Sequence, residues 1–271
     1  MYVKKTYICG QVIEVEKVFS SKYKGKKTLR SPKMAKTEEA VRKVNERNAE
    51  KKLRRILNAN FDTNSLHAVL TYRFEERPAD GEQAMKDLKN FWRTLKRLCK
   101  KYGKELKYVA VAERSQRGVI HFHCIIDCGL SLGEIQEAWA KGAVHATPLR
   151  SDGDYSRLAS YLLKQSKETF NDPERSIHKK RWCSSKNLVI VKPHTQVIKA
   201  DSWRETPTAP KGYYVLKDTI EAGISEWGYP FQMYRCLKIE PLKRKEVERH
   251  ESKINSTNST KRKPRLHQQT P

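Results

Sequence analysis

The sequence predicts an α+β fold, a mostly antiparallel central sheet with helices packed on one face. Three observations predict it. Between residues 60 and 170 the hydropathy pattern switches from period 2 to period 3.6 and back, in the order strand, helix, strand, strand, helix, strand, helix. Two of those strands are separated only by the polar turn Arg114–Gly118, as in a hairpin. The others are joined through helical stretches long enough to cross over a sheet.

The elements follow in chain order. Residues 1–20 alternate and carry the β-branched run Val12-Ile13-Glu14-Val15, which reads as a strand or hairpin. Ser20–Lys33 is a basic loop. Thr37, followed by Glu39 and Ala40, marks a helix start, and the helix runs to about Asn58 with Val41, Val44, Ala49, Leu53, Ile56 and Leu57 as its apolar members. Its Lys and Arg residues form either a solvated face or a phosphate-facing one, with solvated the default for any single residue. Leu66–Phe74 alternates as a half-buried strand. Glu82–Lys101 is amphipathic, with Leu88, Phe91, Trp92 and Leu95 at helical spacing; these aromatics read as core. Lys107–Glu113 and Val119–Asp127 are strands. Leu132–Lys141 is a short helix ending at Gly142, Ala143–Arg150 a strand, and Tyr155–Lys167 a helix capped from Asp152-Gly153-Asp154.

Four segments are expected: a basic strand and helix extension over 1–60, a central domain over 61–190, a mixed, aromatic-rich segment over 191–241, and a charged, then Ser/Thr/Asn-rich tail over 242–271. The tail is too polar to bury a core and reads as disordered.

Composition narrows the function. The chain has 271 residues, with 56 Lys and Arg against 31 Asp and Glu, a formal charge of +25. Such an excess repels itself in a compact state and calls for a polyanion, nucleic acid before membrane. No long apolar run and no signal peptide is present, which points to a cytoplasmic protein with no membrane partner. The six cysteines form no CxxC pair and read as reduced thiols. Cys124 and Cys128 lie beside two histidines at a spacing within the broad zinc range, which leaves zinc as an alternative, although no second cysteine pair accompanies them. Gly25-Lys26 is followed by Lys27 rather than Ser or Thr, so no phosphate-binding loop of the Walker type supports an ATP-driven activity.

The chemistry concentrates in Gly118–Asp127 (GVIHFHCIID). Strand alternation sends Ile120, Phe122, Cys124 and Ile126 to one face, and His121, His123 and Ile125 to the other. Two imidazoles two residues apart on one face can converge on a metal ion. Glu113, across the hairpin, falls opposite or diagonal to His121, within reach of the same ion. Two neutral imidazoles and a carboxylate suit Mg²⁺ or Mn²⁺ with positions left for phosphate oxygens. Downstream, Tyr161 and Lys164 are spaced i,i+3 on one helix face. A phenol is a weak nucleophile unless the phosphodiester is polarised and a cation sits nearby.

These residues resemble, in order, the three motifs of rolling-circle replication initiators of the HUH endonuclease superfamily, in particular proteins with a gene-II-protein-like domain. The motifs are Leu70-Thr71-Tyr72, His121-Phe122-His123 and Tyr161 to Lys164; Glu113 stands where the third metal ligand is common. The polar stretch Lys180–Leu188 is similar to the one following the nucleophile helix. The resemblance implies a ferredoxin- or RRM-like core and a nickase acting on single-stranded origin DNA through a 5′-phosphotyrosine. Tyr161 would be the nucleophile, Lys164 its cation, and His121, His123 and Glu113 the metal ligands. It also implies a host helicase and polymerase as partners. The tyrosine follows the histidine pair, as in initiators and unlike relaxases. Gln165 stands where some relatives carry a second tyrosine. The rivals are a water-using metal nuclease and a non-catalytic nucleic-acid-binding module.

Overall fold

The computed structural model describes residues 1–20, 37–150, 153–171, 176–178 and 180–239, the side chains of 165–169 and 171 excepted. The basic loop beyond Ser20 and the charged tail lie outside the described residues. Met1–Leu237 is one compact unit, and the account below concerns it. Its elements are β1 (Tyr2–Cys9), β2 (Val12–Phe19), α1 (Glu38–Asn60), β3 (Leu66–Leu70), α2 (Gly81–Lys101), β4 (Lys107–Arg114), β5 (Ile120–Asp127), α3 (Leu132–Trp139), β6 (Val144–Pro148), α4 (Ser156–Asn171), β7 (Cys183–Ser184), β8 (His194–Ile198), β9 (Tyr213–Ile224) and β10 (Pro230–Lys238).

They build an α+β fold with two five-stranded antiparallel sheets. The central sheet has the order β6-β3-β5-β4-β7. Its first four strands, with α2 and α3 as crossovers, form the split β-α-β-β-α-β arrangement of ferredoxin-like folds. The second sheet has the order β8-β1-β2-β10-β9 and draws its strands from both flanks of the chain.

Each helix begins for a local reason. Thr37 accepts a hydrogen bond from the Ala40 N–H at the start of α1, and Asp80 accepts one from Gln83 N–H at 2.8 Å at the start of α2. Ser131 and Glu134 form a capping box on α3. That helix stops at Trp139, earlier than the sequence predicts, because Ala140 turns into the left-handed region with φ 51°. The expected terminator, Gly142, has another task. A Cβ there would stand 2.0 Å from the Thr71 carbonyl oxygen, so only glycine lets this segment run against the end of β3. β3 itself stops at Leu70 instead of Phe74, and a short 3-10 turn, Phe74–Glu76, follows.

Helices α2 and α3 cover one face of the central sheet. Leu88, Phe91, Leu95, Ile135 and Trp139 bury themselves against Phe122, Cys124 and Ile126. The expectation that helices would lie on one face only needs correcting. The second face is not left open, because α4 and the C-terminal half of α1 pack there against Val109, Val111 and Ile125. The physical reason is in the strands: those three apolar side chains share the histidines' face and are fully buried. Helix α1 divides accordingly. Val41 and Val44 are exposed, while Leu53, Ile56 and Leu57 are core.

The polar stretch after residue 170 contributes two further pieces of sheet. β7 pairs with β4, placing Ser184 opposite Val109. β8 and the hairpin of β9 and β10 join the N-terminal hairpin through β1 and β2.

Candidate active site

The site sits on the central sheet's second face, toward α4. β5 is the middle strand, flanked by β3 and β4. Register fixes the pattern: Glu113 lies directly opposite His121, Val111 opposite His123, and Val69 opposite His123 from the other side. Directly paired residues share a face, so Glu113, His121, His123 and, from β3, His67 all project toward α4. As the alternation predicts, Ile120, Phe122, Cys124 and Ile126 point the other way, into the α2 and α3 core.

The Glu113 carboxylate meets His123 Nε2 at 2.6 Å. That contact is diagonal in the register rather than directly across, within reach of a glutamate. His123 is only 6% exposed. The His67 ring lies 5.9 Å from it, nearly parallel at 22°. Tyr161, on the second turn of α4, points at both rings. Its ring centre is 5.7 Å from His123 and 6.0 Å from His67, edge-on in each case. Tyr161 nevertheless remains 41% exposed, so the residue is open to solvent. Lys164 is exposed on the following turn of α4. Among the described residues no contact ties it to the imidazoles or to Glu113. Tyr155, by contrast, is buried core beneath α4.

Electrostatics favour uncharged rings. Burial holds His67 below its ordinary value, and the neighbouring His123 adds to the effect. Burial lowers His121 as well, helped by His123 and Arg77, although Glu113 pulls the other way. Neutral imidazoles keep the lone pair a metal needs.

Two polar atoms remain orphaned. His67 Nε2 and His123 Nδ1 are buried without a hydrogen-bond partner among the described residues. Such atoms are costly unless something occupies them. Among the described residues, no group of three His, Cys, Asp or Glu side chains is already gathered in ligating geometry. The donor types still fit a divalent ion: neutral imidazoles, one carboxylate, and orphaned nitrogens beside them. Cys124 cannot join. Its thiol faces the opposite core, where burial raises it well above its ordinary value. Cys128 is likewise buried, pushed up to about 11. The six cysteines form no disulfides.

Sequence reasoning misses His67, because the segment Leu66–Phe74 reads only as a half-buried strand. A signal exists: a histidine alternating with Val69 on a mostly apolar strand stands out as polar on an inward face.

The position of α4 depends on the second sheet. Asp154 accepts hydrogen bonds from the Ser156 N–H at 3.1 Å and hydroxyl at 3.0 Å, capping the helix as the sequence predicts. Arg235 of β10 donates to that carboxylate at 3.1 Å and to Ser156 Oγ at 3.3 Å. Asn58 of α1 accepts from the Tyr155 N–H at 2.8 Å.

No helix among the described residues is long and apolar enough to cross a membrane. No curated protein and no solved structure matches the chain significantly. Residues 65–166 match the family model of replication-associated proteins of the ORF2 and gene II protein type. That span begins just before β3 and ends within α4, so it holds His67, His121, His123, Glu113, Tyr161 and Lys164 together. Over these residues the chain is therefore similar to gene-II-protein-like replication-associated proteins.

Proposed function

We propose that the protein starts rolling-circle replication by nicking and rejoining single-stranded origin DNA through a covalent 5′-phosphotyrosine at Tyr161. The observation that carries this reading is convergence: a solvent-accessible phenol lies 5.7 Å from the buried, glutamate-paired His123 ring, on the same side of the sheet. His121, His123 and Glu113 would hold a divalent ion, Mg²⁺ or Mn²⁺, with His67 beside them. Such an ion supplies charge stabilisation to a phosphodiester bound there.

The chain's own groups do the rest. A phosphate held beside His123 would meet the phenol that α4 carries there. The Tyr161 oxygen forms a bond to phosphorus while the bond from phosphorus to the 3′ oxygen breaks. The phenolic proton passes to solvent, and the released oxygen takes one up as a free 3′-hydroxyl. Bond energy is kept in the phosphotyrosine, so rejoining by a later 3′-hydroxyl needs no ATP. Lys164, one turn on, offers a cation to the phosphate as the strand enters. A host helicase and polymerase would extend the freed 3′ end.

The test is a denaturing gel of the protein with 3′-labelled random-sequence single strands and Mn²⁺. The expected result is labelled DNA that migrates with the protein, absent in Tyr161→Phe. Cleavage that leaves only free 5′-phosphate ends would make the protein a water-using nuclease. Binding with no cleavage in any metal would make it a non-catalytic module. His67→Ala is expected to lower nicking at least tenfold while leaving the fold intact, since it removes a ring packed on the phenol.

A further inference from the structure

The second sheet has two faces of opposite chemistry. Glu14 and Glu16 of β2 point to α1, where Arg54, Arg55 and Lys51 neutralise them. On the other face, register places Lys4 of β1 directly opposite Lys17 of β2. Like charges directly across a strand pair repel. Among the described residues neither lysine makes an ion pair. Among the described residues Lys17 donates to Gln232 Oε1, at 2.8 Å. Burial and the charge of Lys4 hold its ammonium below its ordinary value.

Aromatic rings surround this pair. The Lys17 ammonium lies 5.7 Å from the ring centres of both Trp203 and Tyr234. Trp203 packs edge-on against Tyr2 at 5.5 Å, and Phe19 stacks on Tyr229 at 3.7 Å. The Trp203 indole N–H is buried with no acceptor among the described residues. Between these groups is a cavity of about 360 Å³ lined by Lys4, Lys17, Trp203, Arg204, Thr208 and Tyr234. Cavities of that size admit a small ligand of roughly nucleotide dimensions. Burial and the neighbouring Asp201 carboxylate raise the Tyr2 phenol.

Uncompensated ammonium groups ask for an anion, and the rings and the spare indole donor ask for a flat partner with acceptors. Single-stranded DNA supplies both, because its bases are free to leave the stack and its phosphates are spaced along the chain. We propose that this face is a second single-stranded DNA-binding surface, separate from the nicking site. Lys4, Lys17 and Arg204 take phosphate oxygens, and Trp203 takes a base. The proposal rests on the reading of the protein as one that acts on DNA, and not on the nicking chemistry.

The test measures binding, in the Tyr161→Phe background, by anisotropy of a dye-labelled oligothymidylate across a salt series. Lys4→Gln with Lys17→Gln is expected to weaken binding at least tenfold. It should also flatten the logarithmic salt slope by about 1.4, two phosphates at about 0.7 each. Trp203→Leu is expected to weaken binding roughly tenfold with the slope unchanged. Lys17→Arg should keep the affinity. Thermal melts show whether the double variant folds; if it does not, Lys4→Gln and Arg204→Gln decide by the same slopes. Unchanged affinity and slope in folded variants overturn the proposal. So does a loss confined to duplex DNA or to polyglutamate, which would assign the face to another partner. Since the readout is binding by a protein lacking the phenol, a failed nicking assay leaves this result standing, and the reverse holds as well.

Discussion

The central sheet and the second sheet hold their helices by different means. On the central sheet the helices are held chiefly by apolar packing. Phe122, Cys124 and Ile126 meet α2 and α3, and Val109, Val111 and Ile125 meet α4 and α1. The second sheet meets α1 through charge. Glu14, 3% exposed, accepts from Arg54 at 2.7 and 3.1 Å and from Arg55 at 2.8 Å; Glu16 accepts from Arg55 at 2.7 Å and Lys51 at 3.2 Å. Apolar packing is forgiving in direction and strong in aggregate. A buried ion pair is neither, since each charge is costly to bury and tolerable only while fully partnered. The comparison teaches where this protein can bear change. The chemistry is carried by a sheet that packs like an ordinary core, and the helix bearing Tyr161 is aligned by a sheet whose attachment depends on a few paired charges.

The comparison can be broken in several ways. The largest effect is expected from Glu14→Ala. It strands the Arg54 guanidinium in a nearly closed site, and stability should fall by about 3–5 kcal/mol. Chemical denaturation measures it, and a loss under about 1 kcal/mol would mean the charges are not what holds the two parts together. Next comes Gly142→Ala. The new methyl group would collide with the backbone of Thr71, at a cost of about 1–3 kcal/mol in strain. An unchanged midpoint there would mean that the central sheet yields more easily than its packing implies.

Arg235→Ala should cost less, about 1–2 kcal/mol, by removing charge-assisted bonds to Asp154 and Ser156. Its nicking rate should nevertheless drop, because the cap of the helix that carries Tyr161 loses its brace. Wild-type nicking in that variant would show that the second sheet has no part in aligning the site. The smallest effect is acid sensitivity. Burial by itself would raise Glu14 and Glu16, but Arg54, Arg55 and Lys51 outweigh it and hold both below their ordinary value of 4.5. A folded-state value below the unfolded one gives stability that is complete above about pH 4.5 and lost as pH falls through the folded value. The melting temperature should therefore decline below about pH 4.5, and less steeply in Glu14→Gln. Equal slopes in the two proteins would place the acid-sensitive groups elsewhere.

What the sequence determined by itself was whatever depends on neighbours along the chain. Alternation over Gly118–Asp127 put Phe122 in the core and both site histidines on the other face, because side chains along a strand must alternate. Periodicity located α2, and Asp154 announced the start of α4. The hairpin turn fixed which strand faces β5, so Glu113 could be placed opposite or diagonal to His121, and the register makes it directly opposite. Only the tertiary structure decided what depends on distant partners. Arg54 and Arg55, read as solvated by default, are buried because β2 brings Glu14 and Glu16 to them. The segments before residue 21 and after residue 193 form one sheet because β2 finds β10, a pairing that no local period encodes. His67 enters the site for the same reason: its strand lies beside β5, and register between strands far apart in sequence is set by which faces must be buried together.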